Sequence, residues 1–95
     1  MRLPIAILAL LASVPTAFAA PTAAQKDEFY AVCMGIAKDQ ALCSCKADAA
    51  MTLIDERFMG VVIASMKGTA SPASGDYDAY NTYVARSNQI CKPNY

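Results

Sequence analysis

Apolar residues recur along most of this chain at helical spacing. Phe29, Val32, Cys33 and Ile36 fall at i, i+3, i+4 and i+7, which is one face of a helix. Thr22, with Gln25 three residues on, has the pattern of a capping box and sets its start. Gly35 and the polar Lys38-Asp39-Gln40 mark where this helix frays and turns. Asp39 is a good N-cap for a second helix. That helix carries Leu42, Cys45, Ala49 and Leu53 on one stripe and Cys43, Ala47, Ala50 and Ile54 on another. Its alanines allow a neighbouring helix to approach closely.

A third segment, Asp55 to Lys67, places Phe58, Val62 and Met66 at four-residue steps with Met59 and Ile63 beside them. Val61-Val62-Ile63 would also suit a short strand, but a lone strand has no evident partner, so helix is the expectation. The small-residue stretch Gly68 to Gly75 reads as a flexible loop. A fourth helix then runs from about Asp76, its expected N-cap, to Cys91, with Tyr77, Tyr80, Val84, Ser87 and Cys91 on one face. Pro93 blocks any continuation. The pattern predicts a small all-α domain of three to four helices.

The start of the chain changes the picture of what folds. MRLPIAILALLASVPTAFAA has one positive residue, Arg2, then the apolar run Ile5 to Ala12, then Pro15 and the small-x-small site Ala17-Phe18-Ala19. This is the layout of a cleaved secretory signal peptide, with a retained N-terminal helix as the alternative. The apolar run is too short for a bilayer span, which needs about 20 residues. Residues 1–19 are therefore expected to leave, and residues 20–95 to form one helical domain. The expected compartment is extracellular or the bacterial periplasm. Much of the 56% hydrophobic content lies in the leader, so the core is smaller than that figure suggests.

Eight basic residues balance eight acidic ones in the full chain, and Arg2 leaves with the leader, so the remaining domain carries one excess acid. Without a basic patch, nucleic acid is not an expected partner. No transmembrane anchor is expected either.

A domain of this size buries only about 60% of its unfolded surface. Four cysteines in an exported chain have a ready structural use as two staples. Cys43 and Cys45 stand about 200° apart around a helix and so reach two different neighbours. Cys33 and Cys43 lie at equal distances on either side of the turn near Lys38 and meet in an antiparallel hairpin. That favours Cys33–Cys43 with Cys45–Cys91, and Cys33–Cys45 with Cys43–Cys91 is the close alternative. The Cys33 to Cys43 spacing, C-x9-C, resembles half of the twin C-x9-C pattern of helix-hairpin proteins of the mitochondrial intermembrane space. The second half is missing here and the secretory leader contradicts that import route, so nothing of the family is carried over.

Competing chemistry is limited. Reduced Cys43 and Cys45, helped by thioethers from Met51, Met59 and Met66, could hold Cu(I), since soft sulfur selects it. A bare C-x-C is a weak signal, and methionines on helical faces more often fill core gaps. The chain has no histidine, which removes Ser–His and Cys–His catalysis and weakens zinc. C-x-x-C redox spacing is absent. Asp76-Tyr77-Asp78 is too short for a calcium loop. The acids fall mainly where helix starts need them. No resident metal and no cofactor are expected, and no catalytic residue is assigned.

What is left is the tyrosine cluster of the last helix. Tyr offers a flat apolar body with a polar tip, suited to interfaces. The expected role is non-catalytic binding of a protein partner or a small apolar ligand. Copper handling is the alternative, and an enzyme of unknown type ranks third. The candidate site is a groove with Phe58, Val62 and Met66 on one wall and Tyr77, Tyr80 and Val84 on the other, next to the flexible loop. The competing reading is that these six residues pack on one another as core.

Overall fold

Among the described residues, three of the four α-helices begin on a side chain that satisfies an otherwise unpaired amide. The computed structural model describes residues 19–93, so the expected leader lies outside it except for Ala19. Helix α1 spans Ala23–Ala37, α2 Gln40–Leu53, α3 Glu56–Lys67 and α4 Tyr77–Ile90. At the head of α1, Thr22 Oγ1 accepts from the Gln25 amide at 3.0 Å and Gln25 Oε1 accepts from the Thr22 amide at 2.9 Å. Asp39 accepts from the Leu42 amide at 3.0 Å, and Asp55 accepts from the Phe58 amide at 2.8 Å. Each such cap typically contributes about 1 kcal/mol.

The fourth start departs from the expected one. Asp76 has helical backbone and its side chain caps nothing. A 3-10 turn over Ser74–Asp76 leads directly into α4. The Asp76 carboxylate instead pairs with Arg57 of α3 at 3.1 Å, so a tertiary ion pair has displaced a local cap.

The helix ends are equally local in origin. Gly68 closes α3 at φ +74°, in the left-handed region that glycine enters without a Cβ penalty. The Thr69 amide then returns to the Ala64 carbonyl at 3.0 Å. Lys38 closes α1 at φ +53°, and its ammonium donates to the Gly35 carbonyl at 3.3 Å. Helix α1 runs straight through Gly35 rather than fraying there. The Val61–Ile63 run is helical, and no strand occurs among the described residues.

Helix α1 packs against α2 and α3, and α2 packs against α4. The shared core holds Phe29 and Cys33 from α1, Cys43, Ala47 and Ala50 from α2, and Phe58, Met59, Val62 and Ile63 from α3. Ile54 and Tyr83 complete it. Ala47 and Ala50 are fully buried, which is how α2 comes close to its neighbours. Cys33 is bonded to Cys43 and Cys45 to Cys91, with Cα–Cα separations of 5.6 and 5.8 Å. Both fall inside the ordinary range for the cross-link. The two cysteines of the C-x-C therefore serve opposite sides of α2, one tying it to α1 and the other to the end of α4.

No disulfide reaches α3. It is held by apolar packing, by the ion pair of Lys67 with Glu28 at 2.7 Å, and by Gln25 Nε2 donating to the Glu56 carbonyl at 3.0 Å. Ahead of α1, Pro21 is buried, and the Glu56 amide donates to the Ala19 carbonyl at 2.7 Å. No helix among the described residues is long and apolar enough to cross a membrane.

Candidate functional site

Helices α3 and α4 are not among the closely packed pairs, and the space beside them is a groove of about 540 Å³. Val62 and Met66 line it from α3, and Tyr80, Tyr83, Val84 and Ser87 from α4. Phe29, Cys33 and Ile36 contribute from α1, and Leu42 and Lys46 from α2. The volume lies within the range of small-molecule pockets, about 300–1,000 Å³. One polar bridge spans α3 and α4 here, between Ser65 Oγ and the Tyr80 hydroxyl at 3.1 Å.

Four of the six residues expected to form the groove line it together: Val62, Met66, Tyr80 and Val84. Phe58 does not. It is buried and faces a second recess of about 500 Å³ that also holds Arg57 and Asp76. Tyr77 is 48% exposed and lines neither recess. Val62 is itself almost fully buried, so it serves as core and groove floor at once. Ile36 and Val84, two of the four large apolar residues left exposed among the described residues, sit at this groove.

Two polar groups stand out in this setting. Tyr83 lines both recesses and so forms the partition between them. Its hydroxyl is buried with no hydrogen-bond partner among the described residues. Burial, with a smaller contribution from Tyr80, pushes its pKa far up from the ordinary phenol value. Lys46 donates to Ser87 Oγ at 3.0 Å and to Asn88 Oδ1. Burial lowers its pKa. Ser87, almost fully buried, donates its hydroxyl to the Val84 carbonyl at 3.2 Å.

The Tyr83 hydroxyl makes a direct prediction possible. An unsatisfied buried hydroxyl costs about 1–3 kcal/mol, so Tyr83→Phe should stabilise the domain by about 1 kcal/mol in urea denaturation. The folded pKa is raised above the unfolded one. Stability from this group is therefore complete below about pH 10 and declines above it, where only the unfolded chain releases the proton. The Phe variant should lose that part of the alkaline destabilisation. A variant less stable than the parent at neutral pH would mean that the hydroxyl has a partner.

Five of the eight acids are otherwise engaged. Asp39 and Asp55 cap helices, Asp48 pairs with Lys26 at 2.7 Å, Glu28 with Lys67, and Asp76 with Arg57. No group of three or more His, Cys, Asp or Glu is placed to hold a metal among the described residues. The thiolates that copper would require at Cys43 and Cys45 are oxidised.

Comparison with protein-family models, with curated proteins and with solved structures found no match.

The α1 and α2 side of the groove was not anticipated from sequence. Lys46 sits four residues after Leu42, on its helical face, so that spacing was the available signal. The periodicity of α4 puts Ser87 on the face of Tyr80 and Val84, but its contact with Lys46 depends on how α2 meets α4.

Proposed function

We propose that this domain is a non-catalytic binding protein, secreted or periplasmic, whose groove beside α3 and α4 takes a small apolar ligand. The observation that carries this reading is the apolar lining of the groove, with Ile36 and Val84 left exposed on it. Large apolar residues exposed at a concave site commonly mark binding. The absence of disulfides to α3 supports it further, since one wall can shift without straining a covalent bond. The non-catalytic part is supported by the lack of any histidine and by five of the eight acids being taken up, Asp39 and Asp55 in caps and Asp48, Glu28 and Asp76 in ion pairs. The compartment rests on the leader pattern and on two disulfides, which persist in oxidising surroundings.

A neutral apolar dye such as Nile red tests the groove. The parent protein should enhance its fluorescence saturably. Val84→Asp puts a charge on the groove at an exposed position and should abolish that enhancement while changing stability by no more than about 0.5 kcal/mol. Equal dye capture by parent and variant would refute the groove as the binding site. Failure of the parent to capture any apolar probe would remove the ligand and leave a protein partner as the remaining form of the binding role.

A further inference from the structure

Lys46 is the one cationic residue lining the groove, among the described residues, and it has no ionic partner there. A lysine ammonium carries three N–H donors. Ser87 and Asn88 accept two of them, both through neutral oxygens. The remaining donor has no acceptor, and no carboxylate lies within salt-bridge distance among the described residues. Lys46 is only partly buried, so its ammonium has lost part of its hydration, and an anion on the remaining donor would gain more there than in open water.

The rest of the lining fixes what would complete it. Val62, Met66 and Val84 are apolar, and Tyr80 and Ile36 extend the apolar surface. The other charged residue of the lining, Asp39, already accepts from the Leu42 amide at the head of α2. It lies seven residues before Lys46, about 10 Å along the helix, so the two charges mark separate places in the groove. An anionic group at Lys46 is thus kept clear of Asp39, and an alkyl chain has the α3 and α4 wall to cover.

We infer that the groove binds an amphipathic carboxylate, with its head on Lys46 Nζ and its alkyl tail against Val62, Met66 and Val84. This inference rests on the groove reading above and names the class of its ligand. Ser87 and Asn88 hold the ammonium in place, and the incoming carboxylate takes the third N–H as a charge-assisted hydrogen bond. Partial burial lowers the Lys46 pKa, and a carboxylate beside it would raise it again. The ammonium stays protonated at neutral pH, so no proton transfer is needed for binding.

Three probes with one tail and different heads separate the outcomes: decanoate, decanol and decyltrimethylammonium, titrated below micelle formation and followed by calorimetry. Decanoate should bind about ten- to hundredfold more tightly than decanol, the difference expected of a hydrogen bond to a charged group. Lys46→Met should remove the preference, so that decanoate binds the variant no more tightly than decanol does. Equal binding of decanoate and decanol to the parent would overturn the carboxylate and leave the apolar groove standing. Preference for the ammonium probe would overturn it in favour of Asp39. No binding by any of the three would overturn the groove reading and the carboxylate together. The headgroup comparison uses the parent protein, so it decides the matter even if the Lys46 variant folds poorly.

Discussion

Full reduction of the two disulfides should unfold most of this domain at ambient temperature. The Cys33–Cys43 link closes a separation of 10 residues and the Cys45–Cys91 link one of 46. Restricting the unfolded chain in loops of these lengths is worth about 3 and about 4 kcal/mol. A core this small rarely supplies more than about 3–5 kcal/mol by itself. The two links together thus match or exceed what packing provides. Far-UV circular dichroism should lose most of its helical amplitude after reduction. Replacing Cys45 and Cys91 together by alanine should lower the melting temperature more than replacing Cys33 and Cys43. An unchanged melting temperature in the fully reduced protein would show that packing alone holds the fold.

Phe58→Ala should cost about 3–5 kcal/mol, as expected for truncating a buried aromatic. Its ring is 6% exposed and belongs to the central cluster with Met59, Val62 and Ile63. Arg57 sits over the ring at 5.7 Å, so that contact is lost as well. Because Phe58 faces away from the groove, the variant tests packing and not capture. Chemical denaturation should show a lower midpoint, with dye binding retained at temperatures where the variant stays folded. A loss below about 1 kcal/mol would mean that the neighbourhood collapses around the missing ring.

The features legible in the sequence were those decided within a few residues. The caps by Thr22, Asp39 and Asp55 are contacts of a residue with the amide three positions on, and they appear where the pattern placed them. The disulfide pairing was legible for a related reason. A C-x-C on a helix must point two ways, and a short hairpin turn brings Cys33 level with Cys43. Asp76 shows where this kind of reading stops. Its local preference was to cap α4, but Arg57, distant in sequence, took the carboxylate.

The groove was half legible on the same principle. Helical periodicity picked out Val62, Met66, Tyr80 and Val84 as facing residues. It could not tell that Phe58 would turn into the core, nor that α1 and α2 would supply Ile36 and Lys46. Those positions depend on how the helices lie against one another, which the spacing of apolar residues along a single helix does not encode. The leader falls outside the described residues, and its reading remains one of sequence pattern.

The placement of the cross-links also decides how the domain would carry a pull along its chain. Tension entering through α1 passes from Cys33 directly to Cys43, runs two residues to Cys45, and leaves through Cys91. Everything between Cys45 and Cys91 hangs as a slack loop off that short load path. All of α3 and all of α4 lie in the loop, so those two groove walls bear no force while the sulfur bonds hold. A tether at either end of this chain could be drawn taut without stretching those walls.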